Sequence, residues 1–224
     1  MISYQHLEEL RALYLEKALG TTFCDPIVIE APSAVDQAIE LPQTLEPLHQ
    51  TLMGCHLCDL SKSRSSVQAG FGSNQAELMI INDYPSLAED SEGAYSGKTG
   101  KMLEDMITQV IGLEKEEIFY THAVKCMPLN GKQPTHSEVL SCKPFLQKQI
   151  DILKPKLIVA LGEISYNYLT ADNSGFEAVR GEIRPFGETQ LLAMYHPRHL
   201  RANPSKKKLA MSDLIKIKSY VCAN

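Results

Sequence analysis

Four cysteines stand in a pattern that can hold an inorganic centre: Cys55 and Cys58 as C-x2-C, a gap of sixty-seven residues, then Cys126 and Cys142 as C-x15-C. Thiolates are soft ligands that select zinc or iron–sulfur clusters, and four of them complete either. Spacing alone leaves both metals open. The long gap means that such a site would staple an early segment to the body of a larger fold, unlike a zinc ribbon with two close knuckles. Cys24 and Cys222 fall outside the pattern.

A second set of chemically capable residues sits where buried strands are expected to end. Four short apolar runs, Glu77–Asn82, Ile118–Val124, Leu157–Leu161 and Gln190–Tyr195, read as strands. They run into Asn82-Asp83-Tyr84-Pro85, into His122 with Lys125-Cys126, into Gly162-Glu163, and into His196-Pro197-Arg198-His199. Helical patterns at Gly100–Leu113, Ser137–Leu153 and Glu163–Leu169 alternate with the strands, and a last one covers Lys207–Val221. Such alternation predicts an α/β fold whose mostly parallel, four-stranded sheet is covered on both faces. Ligands in such folds bind beyond the carboxyl ends of the strands, where these polar residues lie.

The order of these residues resembles the iron–sulfur uracil-DNA glycosylases, families 4 and 5 of the uracil-DNA glycosylase superfamily. The resemblance runs from about Cys55 to Leu214. It rests on C-x2-C-x-L with Arg64, the Leu78–Pro85 strand and loop, Asp90 with Gly93 and Gly97, and Lys125-Cys126-x-Pro128. It continues through Glu138 with Cys142 and Leu146, Pro155, Leu161-Gly162, Arg180-Gly181, Tyr195-His196-Pro197, Leu200, Arg201 and Asn203-Pro204. It implies a three-layer α/β/α sandwich, a [4Fe-4S] cluster in preference to zinc, and hydrolysis of the N-glycosidic bond of uracil, or a related deaminated base, in DNA. An extruded base would be read in a pocket by stacking and by hydrogen bonds to its edge.

Residue by residue, the resemblance makes His196 the donor to the base carbonyl. It puts Asp83 where the family has glutamate, to organise the attacking water, with Tyr84 and Pro85 continuing that loop. Tyr95 replaces the stacking phenylalanine, and His122 replaces the asparagine that reads uracil. An imidazole cannot present a donor and an acceptor side by side, so the base that is read is open to change. Asn82 and Ser86 stand where the family's loop has glycine. Arg64, Lys98, Arg180, Lys206 and Lys207 are expected at the phosphates, and Leu200 with Arg201 is expected to wedge the base stack. A second expectation is an iron–sulfur protein that binds DNA or a partner but has lost efficient turnover.

Residues 1–50 read as an amphipathic helix over 2–19 followed by a proline-interrupted linker, an arm for a replication or repair partner, with the main domain over 51–224. A short helix around Leu45–Met53 delivers the chain to Cys55. The 224 residues, 44% of them hydrophobic, bury a full core, and the net charge of −5 leaves DNA binding to local cationic clusters. No run of eighteen apolar residues occurs and the start lacks a signal-peptide core, so a cytoplasmic protein without a membrane segment is expected; a monomer is expected as well. Reduced thiols in that compartment favour metal ligation over disulfides.

Overall fold

The computed structural model describes residues 41–172 and 175–222, with Arg11, Tyr14, Leu15, Lys17 and Gly20. The helix expected over 2–19 and the linker up to residue 40 fall largely outside the described residues. The chain divides into two units, Met1–Glu40 and Leu41–Asn224, and the elements that position the candidate site all lie in the second.

In order these elements are α1 (Leu45–Met53), β1 (Phe71–Gly72), β2 (Leu78–Asn82), α2 (Leu87–Glu92), α3 (Gly97–Met106), β3 (Phe119–His122), α4 (His136–Leu153), β4 (Leu157–Leu161), α5 (Gly162–Thr170), α6 (Phe176–Val179), β5 (Ile183–Phe186), β6 (Thr189–Met194), α7 (Pro197–Ala202) and α8 (Lys207–Val221). The sheet order is β1-β3-β2-β4-β6-β5. Its four central strands are parallel, and these are the four expected from the sequence. The sheet nevertheless has six strands, because β1 and β5 add antiparallel edges.

Every residue of β2 and β4 is buried, which a half-exposed sheet would not require. Alternate side chains of β2 divide between two cores. Leu78 and Ile80 pack with Leu103 and Met106 of α3 and with Leu214 and Ile217 of α8. Met79 and Ile81 pack with Leu146, Ile150 and Leu153 of α4 and with Tyr166 of α5. The period of two thus builds the three layers. A third cluster joins Leu48 and Leu52 of α1 to Leu60, Val124 and the cysteines.

Local sequence sets the helix ends. The α4 helix begins at a reciprocal capping box between Thr135 and Glu138, and α2 begins at one between Ser86 and Glu89. The helix expected over Gly100–Leu113 starts at Gly97 and passes into a wider π turn over Ile107–Ile111. At Gly100 a Cβ would lie 2.1 Å from the Tyr95 carbonyl carbon, so only glycine lets α3 rest on that backbone.

Candidate active site

The strand ends converge as expected, with Asn82 of β2 directly opposite His122 of β3. His196 follows β6 and caps α7: its Nδ1 accepts the Arg198 backbone N–H at 2.9 Å. An N–H donor on Nδ1 leaves the ring proton on Nε2, and that Nε2–H donates to Asn82 Oδ1 at 2.7 Å. Burial lowers the His196 pKa to about 4, against the opposing pull of Asp83, so the ring is neutral near pH 7.

Asp83 is buried beside it, with Oδ1 3.8 Å from His196 Nε2. Its Oδ1 accepts the Tyr84 N–H at 2.8 Å, and its Oδ2 accepts Arg198 Nη2 at 2.8 Å. Arg198 therefore fixes both residues, through its amide and its guanidinium, and sequence reasoning assigned it no role. Its only signal was its place directly after the His-Pro pair. The same guanidinium lies 5.7 Å from the Tyr84 ring centroid.

A buried polar chain continues from His196 through Asn82. Asn82 Nδ2 donates to the Tyr120 hydroxyl at 3.0 Å, and that hydroxyl donates to Glu89 Oε1 at 2.7 Å. Glu89 Oε2 accepts the Ser86 N–H at 3.0 Å and the Ser86 hydroxyl at 2.9 Å. His122 Nε2 lies 3.4 Å from Glu89 Oε1 and 3.3 Å from the Tyr120 hydroxyl. Burial alone would raise the Glu89 pKa; the facing His122 and the hydroxyl and amide donors hold it down to about 2. The sequence marks neither Glu89, which falls in a stretch where no element is expected, nor Tyr120, which reads as an ordinary residue of the Ile118–Val124 strand.

Asn82, Tyr84, Ser86, Glu89, Tyr120, Leu161, His196, Pro197 and Arg198 surround a cavity of only about 60 Å³. Tyr95 packs against Tyr120 with ring centroids 4.6 Å apart and meets Phe71 edge-on at 5.8 Å. Its backbone is left-handed, at φ 63°, and Tyr84 and Tyr120 are the rings that line the cavity. Pro85 is buried after Tyr84. On the other side of His196 opens a cleft of about 830 Å³, bounded by Asp83, Gly162, Glu163, Phe176, Tyr195, Arg198 and His199. Its size suits a ligand, and its walls are largely apolar.

Three residues expected at DNA have other positions. Leu200 is 1% exposed in the core, because the phase of α7 turns it inward while Arg198 and His199 face out. It cannot wedge a base stack from there. Arg180 donates to buried Asp213 at 2.6 Å and lies over the Tyr195 ring, so its charge is committed inside the fold. Arg64 donates to Cys126 Sγ at 3.2 Å and to the Cys55 carbonyl at 2.7 Å. Of the others, Lys98, Arg201 and Lys207 are exposed, and Lys206 reaches Glu177 at 3.3 Å.

Cys126 and Cys142 are buried, and Cys55 and Cys58 pack against the same cluster. Among the described residues, no three of His, Cys, Asp and Glu are drawn together as a ligand group for one metal ion. The donor set nonetheless fits a sulfur-ligated group: four thiols share one cluster, with a guanidinium on one sulfur. Burial pushes the Cys126 thiol up to about 11, which Arg64 partly opposes, so that sulfur keeps its proton unless a metal takes its place.

Residues 69–216 match the family described as the uracil DNA glycosylase superfamily. The chain is 34% identical over 184 residues to a type-4 uracil-DNA glycosylase of Sulfurisphaera tokodaii, covering 78% of this chain and 84% of that protein. It is 35% identical over 173 residues to a type-4 uracil-DNA glycosylase of Saccharolobus solfataricus, covering 73% and 80%. A type-5 uracil-DNA glycosylase of Pyrobaculum aerophilum is 31% identical over 99 residues, covering 42% of each chain.

Proposed function

Because the chain belongs to the uracil-DNA glycosylase superfamily, we propose that it is a monofunctional DNA glycosylase that hydrolyses the N-glycosidic bond of uracil, or a related deaminated base, in DNA. The observation that carries this reading is the pairing of a neutral, Nε2-protonated His196 with the Asp83 carboxylate 3.8 Å away, at the mouth of the cleft.

The bond from the sugar anomeric carbon to the base nitrogen breaks with its electrons going to the base. A neutral imidazole N–H aimed at a base carbonyl stabilises the charge that develops there, and a preorganised donor of this kind contributes on the order of a hundredfold in rate. The Asp83 carboxylate stabilises the cationic sugar and orients the water that adds to it. Arg198 positions both groups. Lys98, Arg201 and Lys207 supply exposed positive charge for phosphates, whose grip needs no sequence information.

Cys55, Cys58, Cys126 and Cys142 would hold a [4Fe-4S] cluster, with Arg64 donating to the Cys126 sulfur. When bound, the cluster supplies iron–sulfur cross-links from the segment after α1 to Cys126 in the β3–α4 connection and to Cys142 within α4. Base removal needs no electron transfer, so its role here is to brace.

A second reading, a DNA-binding protein with weak turnover, is favoured by one observation: the Asp83 carboxylate already has its own arginine partner. Incubation with a uracil-containing oligonucleotide, followed by alkaline cleavage of abasic sites, separates the two. Product supports the glycosylase. Tight DNA binding without product from uracil, hypoxanthine or xanthine supports the binder. No helix among the described residues is long and apolar enough to cross a membrane. Expected over residues 1–50, the arm can extend only to residue 40, because α1 packs into the core of the second unit; we propose that residues 1–40 serve a repair or replication partner and that the domain acts as a monomer.

A further inference from the structure

The carboxamide of Asn82 carries an oxygen acceptor and an N–H donor side by side, the same pair that a pyrimidine such as uracil presents with a ring carbonyl and its neighbouring N–H. Both ends are engaged in the buried site. Asn82 Oδ1 lies 2.7 Å from His196 Nε2 and accepts the Asp83 backbone N–H at 2.9 Å, while Nδ2 donates to the Tyr120 hydroxyl at 3.0 Å. The Asp83 amide settles which end faces the imidazole, since an N–H donates only to the oxygen. The Arg198 amide on Nδ1 makes Nε2–H the single donor that His196 has to give, and Asn82 takes it. Beside this contact only about 60 Å³ is open, against about 830 Å³ in the adjoining cleft.

We propose that Asn82 is an internal stand-in for the base edge: its side chain occupies the place of the base carbonyl on His196, and a pyrimidine binds productively only after that side chain turns away. This rests on the glycosylase reading of the same site and adds what sets its base affinity. The plug competes with substrate in two ways. It satisfies the His196 donor in the resting state, so a base carbonyl gains only the difference between two similar hydrogen bonds, and it fills volume that a ring needs. Asn82 is thus a specificity-determining residue that acts by exclusion. Shortening it frees the imidazole donor and enlarges the cavity next to it.

The test compares the full-length parent chain with Asn82→Gly and Asn82→Ala. Binding of free radiolabelled uracil is measured by equilibrium dialysis, and kcat and KM are measured on a uracil-containing oligonucleotide. Both variants should bind free uracil about tenfold more tightly or better, and should gain about tenfold in kcat/KM, mainly through KM. Uracil binding that is unchanged or weaker in both variants overturns the proposal, as does loss of folding in both, since a plug is removable and a structural asparagine is not. If nothing is excised by any form but uracil binds the variants, the plug stands and the glycosylase reading falls. If the parent excises uracil and the variants bind it no better, the glycosylase reading stands and the plug falls.

Discussion

The backbone N–H of Arg198 sits 2.9 Å from His196 Nδ1, inside a helix cap that also buries the ring. Burial is what makes protonation of the ring costly, and this contact fixes the tautomer, since a second proton on Nδ1 would face the amide hydrogen.

That cost sets a pH dependence of stability. The unfolded histidine takes up a proton near pH 6.5, and the folded one only near 4. Between those values the unfolded state binds more protons, so stability declines as pH falls from about 6.5 to 4 and this contribution is flat above that window. The full depth is about 3 kcal/mol. Urea unfolding of the parent chain and of His196→Gln across this range checks it: the parent should lose stability on acidification and the variant should lose much less. Parallel declines would contradict the assignment. The Glu89 contribution lies lower, lost as pH falls from 4.5 toward about 2.

Arg180 and Asp213 form an ion pair at 2.6 Å, with Asp213 2% exposed. Removing the cation leaves a buried carboxylate uncompensated, so Arg180→Ala should cost about 3 kcal/mol of stability. It should leave the dependence of DNA affinity on salt unchanged. Lys207→Ala should do the reverse, with little effect on unfolding and a slope of log affinity against log salt that is shallower by about one. Equilibrium unfolding and salt titration of DNA binding give both readouts.

Leu200 should behave as a core residue. Leu200→Ala should cost about 2–5 kcal/mol through the cavity it leaves. A variant that keeps its stability and loses only base extrusion would restore the wedge role and contradict the inward phase of α7.

Cys55, Cys58, Cys126 and Cys142 are expected to bind a cluster that colours the protein. Protein purified without oxygen should be brown, with iron and acid-labile sulfide in equal amounts, and Cys126→Ser should lose both colour and stability. Colourless native protein carrying zinc would replace the cluster with a single metal ion.

The four central strands were legible because each is a short run of apolar residues buried on both faces. The edges were not. The β1 strand is two exposed residues, Phe71 and Gly72, too short for any period, and β5 carries Pro185 among half-exposed residues, which an edge tolerates and a pattern search reads as loop. At the site, Asp83 and His196 were legible from their places at strand ends. Arg198 was not, because its contact to Asp83 spans 115 residues of sequence and depends on a rotamer. The inward turn of Leu200 and the Arg180–Asp213 pair share that character: both depend on how a helix is rotated against the sheet. His122, expected as the changed base reader, has its ring beside Glu89, a buried carboxylate at the capped start of α2 that nothing in the sequence pattern marks.

The most direct test of the whole account is excision itself, measured as alkali-labile sites in a uracil-containing oligonucleotide for the parent chain, Asp83→Asn and His196→Gln. The account predicts product from the parent and losses of about a hundredfold in kcat in each variant, with DNA affinity retained. Excision that continues undiminished in both variants, or a folded parent that binds the oligonucleotide and yields no abasic sites, would contradict it.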